Sequence, residues 1–80
     1  MDGVQTASEQ RFQRLQEYLE EGWTIDPPIF VRPIWHTLRR TQNAYHFILK
    51  RADALNLLVV PVTPEVEEFV RAQRLPLNRL

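Results

Sequence analysis

The fold is decided by a stretch that reads AYHFILKR, residues 44–51. Its ring-bearing and aliphatic residues Tyr45, Phe47 and Leu49 occupy every second position. Such alternation is typical of a β-strand that buries one face and leaves the other to solvent or to a partner. The sequence therefore predicts a strand here, with positions 46, 48 and 50 on the opposite face.

Two further strands are predicted on either side of this one. Residues 29–35 alternate in a similar way, and Pro33, which has no N–H, predicts that this strand lies at an edge or carries a bulge. Residues 55–62 are almost entirely apolar, which favours a strand buried on both faces or a central strand of the sheet. A polar connection over 36–43, with a turn at 41–43, and a short turn at 52–54 join the strands, so an antiparallel sheet is expected.

Helical patterns flank the strands. Residues 8–21 carry an apolar stripe, begin with Thr6 or Ser8 as the N-cap, and end at Gly22, after which Trp23 is expected to fold back on Leu19. A second helix is predicted to start at Thr63, followed by Pro64 at its first position, and to stop before Pro76.

These elements predict an α+β, two-layer domain with a three-stranded antiparallel sheet and helices at both chain ends, in αβββα order. Residues 1–80 form a single small domain, with an ordered core over about 8–75 and flexible ends at 1–6 and 76–80. The predicted core consists of Phe12, Leu15, Leu19, Trp23, Val31, Phe47, Leu49, Leu57, Val59, Val66, Phe69 and Val70.

Composition narrows the class of protein. The 80 residues carry 10 basic and 10 acidic side chains and no cysteine. The lack of cysteine excludes disulfides and thiolate zinc sites and favours a reducing compartment. The first eight residues are polar, unlike a signal peptide, and the longest apolar run is far shorter than a membrane span. We therefore expect a cytoplasmic protein.

The charges are segregated along the chain. No acidic residue occurs between Pro27 and Ala52, where the basic residues alternate with aromatic ones. If Arg32 and Lys50 share the face away from the helices, they lie there with Phe30, Ile34, His46 and Ile48. Such a face is typical of a solvated sheet surface, and it also suits a polyanion. The hypothesis of nucleic-acid binding rests on Arg32, Arg39, Arg40, Lys50 and Arg51.

The strands carry more apolar residues than two short helices can bury. A sheet with aromatic and aliphatic side chains on both faces needs a second cover, and Trp, Tyr and Arg are enriched at interfaces. The sequence thus predicts a non-catalytic interaction module that binds another protein, or self-associates as a homodimer, through a sheet face and a basic hairpin. The residues predicted to bind the partner are Arg32, Trp35, Arg39, Arg40, Tyr45, His46 and Lys50. Nucleic-acid binding by the same hairpin is the alternative.

Chemistry-bearing motifs are sparse. His36 and His46, with Asp26 or Asp53 as a third ligand, match no metal-binding spacing, and surface histidines are the preferred interpretation. The chain has only two glycines and no nucleophile in a triad or elbow pattern. We therefore expect no enzyme activity, no cofactor, no metal and no membrane partner.

The segment LQEYLEEGW, residues 15–23, followed by a strand pair that ends at Lys50 and Arg51, resembles small bacterial domains of unknown function. In those domains a helix ends in Gly-Trp-Glu and an antiparallel pair closes with a basic residue. Thr24 stands where they commonly have Glu. The resemblance covers about half of the chain and implies a compact module without a stated activity.

Overall fold

The computed structural model describes residues 7–36 and 41–79, including all of their side chains except those of Ala7, Trp35 and His36. Two helices and four strands follow one another along these residues. In chain order they are α1 (Ala7–Glu20), β1 (Thr24–His36), β2 (Thr41–Arg51), β3 (Ala54–Pro61), α2 (Pro64–Gln73) and β4 (Leu77–Arg79).

The four strands form one mixed sheet in the order β3-β2-β1-β4. The β1–β2 and β2–β3 pairs are antiparallel as predicted, whereas β4 runs parallel to β1. The α+β class is therefore confirmed, and the prediction of three antiparallel strands is wrong. The missed strand lies in residues assigned to a flexible end. It begins after Pro76, whose carbonyl accepts a hydrogen bond of 2.9 Å from the Ile29 N–H.

Both helices pack on the same face of the sheet. The ring of Phe69 on α2 lies 5.4 Å from that of Phe12 on α1 and 6.5 Å from that of Phe47 on β2, both in edge-to-face geometry. Phe47, Leu49 and the other central residues of this layer are completely buried. The core thus lies between the two helices and the sheet face that carries the odd-numbered residues of β2.

The predicted core is correct for most positions and wrong for β3, which is an edge strand and is buried on one face only. Leu57 is 59% exposed, and Val59, opposite His46, lies on the face away from the helices. Leu58 and Val60, opposite Phe47 and Tyr45, take their places in the core. Because every position of this strand is apolar except one, its sequence does not distinguish the two faces.

β1 is longer and less regular than expected. Its pairing with β2 shifts between Asp26 and Phe30, which flank the cis peptide bond from Pro27 to Pro28, and again between Pro33 and Trp35. β1 is not an edge strand, since it lies between β2 and β4. The alternative expectation, a bulge, agrees with the register shift between Pro33 and Trp35. However, β4 reaches only as far as Val31, so the missing N–H of Pro33 interrupts no bond to that strand.

β2 also begins earlier than predicted. The residues Thr41 to Asn43, predicted as a turn, pair with His36, Trp35 and Pro33 of β1 as part of the strand. The turn between β2 and β3, in contrast, falls at Ala52 and Asp53, close to its predicted position.

The helix ends follow the sequence signals. Gly22 has a φ of +97°, and the N–H groups of Gly22 and Trp23 donate to the carbonyls of Leu19 and Tyr18. The ring that meets Trp23 is that of Tyr18, at 5.6 Å, one residue before the predicted Leu19. At the start of α2 the Thr63 hydroxyl accepts a bond of 3.2 Å from Val66 N, as its N-cap role predicts. The Thr6 cap lies outside the described residues.

Replacing Gly22 with Ala is expected to destabilise the protein by about 1–2 kcal/mol, because an L-residue resists positive φ. The added methyl group would meet only the Arg51 side chain, at an ordinary 3.8 Å, so backbone strain is the cause. Urea denaturation measures the change. Ala52→Gly is the matched control: Ala52 has a φ of 53°, so this variant should lose no more than a few tenths of a kcal/mol. Equal losses in both variants would contradict this explanation.

Candidate functional site

The candidate site is the sheet face opposite the helices, here called the open face. The register places Phe30 opposite His46 and His46 opposite Val59, so these three side chains share that face. Within residues 7–36 and 41–79, both helices lie on the other side of the sheet. Ala44, opposite Arg32, is the completely buried position of this face. The residues that the register places on the open face are Thr24, Asp26, Phe30, Arg32, Ala44, His46, Ile48, Lys50, Leu55, Leu57, Val59 and Pro61.

The centre of the open face is an apolar depression of ≈ 190 Å³. Ile48 and Phe30 form part of it and are half-buried, while Leu57 on β3 is 59% exposed and Leu55 beside it 66% exposed. Leucines this exposed and this close together are unusual on a strand that faces water only. The lining residues are Phe30, Arg32, His46, Ile48 and Leu57.

Charged groups surround this apolar centre. Arg32 on β1 and Lys50 on β2 are both exposed on the open face, as the sequence predicts for that pair. Asp26, opposite Ile48, contributes one carboxylate. The charged side chains of the face therefore leave it with a small positive excess when His46 is neutral.

The position of His46 in the sheet lowers its pKa. Its pKa is lowered, first by burial of the imidazole in the sheet face and second by the positive charge of Arg32. Both effects disfavour the imidazolium. His46 thus presents a neutral ring to the depression at pH 7, and a donor and an acceptor nitrogen with it.

The structure separates Tyr45 from the other predicted partner-binding residues. Tyr45 lies opposite Val31 and Val60 on the helix side and is only 4% exposed. Its ring lies 6.1 Å from that of Phe47, and burial, followed by the carboxylate of Glu67, raises its pKa. Tyr45 is a core residue, so it does not join Arg32, His46 and Lys50 on the open face.

The remaining predicted residues are placed only in part. The backbone of Trp35 pairs with Gln42. Its side chain, together with Arg39 and Arg40, lies outside the described residues. Ile34 is 48% exposed, and it falls in the irregular part of the β1–β2 pairing.

Arg51 has a structural contact that the sequence analysis missed. Its Nη1 donates a bond of 3.0 Å to the carbonyl of Glu21, and its guanidinium lies 5.1 Å from the centre of the Trp23 ring. A cation at the carboxyl end of a helix satisfies a carbonyl that has no helical partner. Arg51 therefore holds the end of α1.

Sequence reasoning also missed the β3 contribution to the site. Leu55, Leu57 and Val59 were expected in the core or left unassigned, but they form one side of the open face. Asn56, the single polar residue of β3, was the one sequence feature that could have distinguished the two faces of the strand. Asn56 points to the helix side, where its Nδ2 donates a bond of 2.9 Å to the Tyr18 hydroxyl.

A second concavity lies between the starts of the two helices. It has a volume of ≈ 500 Å³, and the described hydroxyls that line it are those of Ser8 and Thr63. Thr63 is used as the cap of α2, and the carboxylate residues Glu9 and Glu65 also line the cleft. Its lining residues are Ser8, Glu9, Phe12, Thr63, Pro64, Glu65 and Val66.

Neither a metal-binding cluster nor a membrane-spanning helix occurs within residues 7–36 and 41–79. His, Asp and Glu side chains in these ranges form no group of three or more that could hold a metal ion. Neither α1 nor α2 is long and apolar enough to cross a membrane.

Comparison with protein-family models, with curated proteins and with solved structures finds no match to this chain. The resemblance to small bacterial domains accordingly stays a prediction. The candidate site is thus defined by its own geometry: an apolar depression on an uncovered sheet face, bordered by two cations and a neutral histidine.

The pKa of His46 generates a prediction about pH. Since the folded-state pKa lies below the unfolded value of about 6.5, the unfolded chain binds more protons as pH falls. The contribution of neutral His46 to the free energy of unfolding is fully present above the unfolded-state pKa. It is lost as the pH falls through the folded-state pKa. His46→Gln should lose less stability than the wild type between about pH 7 and pH 5, measured by urea denaturation.

The physical cause can be tested by NMR titration of the imidazole. Arg32→Gln should raise the His46 midpoint without restoring the ordinary value, because burial is the larger cause. Lys50 and Asp26 are the other charged groups on this face, so Lys50→Gln is the control and should shift the midpoint less. A His46 midpoint at or above 6.5 in the wild type would contradict the assignment.

Proposed function

We propose that this protein is a non-catalytic interaction module that binds another protein through its open face. The observation that carries the proposal is the exposure of Leu55 and Leu57 beside Phe30 and Ile48. At about 25 cal/mol per Å² of apolar surface removed from water, covering such a patch is a substantial driving force. The reducing compartment favoured by the lack of cysteine makes the cytoplasm the proposed location.

The charges on the open face favour an acidic partner. Arg32 and Lys50 flank the apolar centre, and the neutral His46 ring sits between them without adding repulsion. A partner segment that combines aliphatic or aromatic residues with Asp or Glu would complement both properties. Arg32 is the better anchor, because a guanidinium can bind a carboxylate with two hydrogen bonds.

A second copy is a poor occupant of this same face. A two-fold axis through the open face would place a positively charged patch against an identical patch. Like charges brought together in this way suppress association. We therefore assign the open face to a different protein.

Nucleic acid is also less well matched to the open face. Stacking on bases requires exposed rings, and the two rings assigned to this face among the described residues, those of Phe30 and His46, are both half-buried. With Arg51 held at the end of α1, Arg32 and Lys50 are the described cations left to contact phosphates. Two phosphate contacts give a weak, salt-sensitive affinity.

Selection from a displayed library of random dodecapeptides tests the proposal. The wild type is the bait, and Ile48→Lys, which charges the apolar centre, is used to remove peptides that bind elsewhere. We expect enriched peptides that contain apolar residues together with Asp or Glu. Arg32→Ala should weaken their binding by about tenfold, in line with the loss of one charge-assisted hydrogen-bonded pair, measured by isothermal titration calorimetry.

Arg71→Ala is the matched control, since Arg71 lies on α2, exposed and paired with Glu68 at 2.9 Å, away from the open face. It should leave peptide affinity unchanged. Selection of peptides that bind wild type and Ile48→Lys equally would contradict the proposal. Binding of a single-stranded oligonucleotide at about 50 mM salt, lost by about 200 mM and in Arg32→Ala, would replace it with the nucleic-acid hypothesis.

A further inference from the structure

A second surface, which borders the open face, is the outer edge of β3. This strand pairs with β2 on one side and forms the end of the sheet on the other. It is eight residues long and contains no charged residue. Natural edge strands usually carry a lysine, a central proline or a bulge that prevents pairing with another chain.

The backbone of β3 is oriented for pairing at that edge. The Val62 N–H donates to the Asn43 carbonyl at 3.0 Å, and the same register continues through the strand. Residues that exchange hydrogen bonds alternate along an antiparallel pair. The even-numbered residues of β3 therefore turn their backbone groups towards β2, and Leu55, Leu57 and Val59 turn theirs outwards.

The other edge of the sheet is protected. β4 has only three residues, follows Pro76 and ends with Arg79. A short strand that carries a cation offers little to a second chain. The two edges thus differ in the features that permit pairing, and β3 has them.

We propose that the β3 edge pairs with the β3 edge of a second copy, antiparallel and centred on Leu57. This register opposes Leu55 of each copy with Val59 of the other. All three outward-facing residues then form hydrogen-bonded pairs, about six bonds in total. Two of these bonds go to the Val59 carbonyls, each of which also accepts from Arg11 of its own copy. A shift that brings Pro61 into the pairing would lose a donor, so the centred register is favoured.

The side chains of the edge support the same arrangement. Leu55, Leu57 and Val59 lie on the open face, where Leu55 and Leu57 are exposed. In the centred register Leu57 meets its own copy, and each Leu55 meets a Val59. The two most exposed leucines of the described residues become partly buried cross-strand neighbours.

Charges on α1 complement one another across this edge. Arg11 lies over the outer side of β3, since its Nη1 donates a bond of 3.4 Å to the Val59 carbonyl. Glu21 lies near the opposite end of the strand, because its carbonyl is bonded by Arg51, which pairs with Ala54. Antiparallel pairing therefore brings Arg11 of one copy towards Glu21 of the other, on the helix side of the sheet.

The resulting dimer would have one continuous sheet of eight strands. Its helices would all lie on one side, and the two open faces would join on the other. Pairing of one strand with its copy is a small interface, so the dimer should be weak and concentration-dependent. The proposal does not rest on the proposed partner of the open face.

Sedimentation velocity over about 10 μM to about 1 mM tests the association. The wild type should shift from monomer to dimer across this range. Leu57→Lys, which opposes two ammonium groups at the two-fold axis, should raise the dimer Kd by at least about tenfold. Leu77→Lys, at the other edge, and Ile48→Lys, one strand further in on the same face, are controls that should dimerise like the wild type.

Cross-linking tests the register. The chain has no cysteine, so one introduced thiol reports on one position. Opposed residues of a hydrogen-bonded pair have Cα atoms about 5.5 Å apart, within disulfide range. Leu57→Cys should therefore cross-link to itself under mild oxidation. Leu55→Cys should not, since four residues of offset separate its copies by about 13 Å, although it should cross-link to Val59→Cys in a mixture.

A wild type that stays monomeric to about 1 mM would overturn the proposal, and so would equal cross-linking of the Leu57→Cys and Leu55→Cys variants. Circular dichroism of each variant separates loss of pairing from loss of folding. Dimers that persist in Leu57→Lys would also exclude this edge. Peptide selection on the open face and oligomeric state are separate measurements, so failure of one proposal is distinguishable from failure of the other.

Discussion

The structure depends on the burial of Phe47 between the sheet and the two helices. Its ring is completely buried and meets Phe69 of α2, which in turn meets Phe12 of α1. Three elements that are distant along the chain are joined by these contacts. Because side chains alternate along a strand, fixing Phe47 inside also fixes His46 and Ile48 on the other face. The open face exists as a consequence of this one packing choice.

Much of this arrangement was predictable, because the alternation in β2 and the helix signals at Gly22 and Thr63 are local. The failures also have local causes. β3 is apolar on both faces, so its hydrophobic pattern does not show which face is buried. Leu57 and Val59 were placed in the core for that reason. β4 is too short to show any period, and it is recruited by the bond from Ile29 to the Pro76 carbonyl. Tyr45 was expected at an interface although its own alternation with Phe47 placed it inside.

β1 exceeds its predicted limits because the strand stays in phase across the interruption at Pro27 and Pro28. Between Asp26 and Phe30 the chain advances four positions while β2 advances two. An even excess keeps the faces in phase, so Ile25 and Ile29 both remain on the helix side, opposite or near Leu49 and Phe47. An odd excess would have turned Phe30 and Arg32 into the core. Sequence alone marks the interruption at Pro27 and Pro28 but does not give its length.

Charge segregation, the clearest signal in the sequence, has a smaller role in the described structure than its cation count indicates. Of the five cations of the predicted basic hairpin, Arg51 is held at the end of α1, and Arg39 and Arg40 lie outside the described residues. The two that reach the open face, Arg32 and Lys50, surround a larger apolar area. Burial of apolar surface is non-directional, whereas a cation pair selects the sign and orientation of what covers it. For this reason the apolar centre would supply the affinity of the open face, and the two cations its choice of partner.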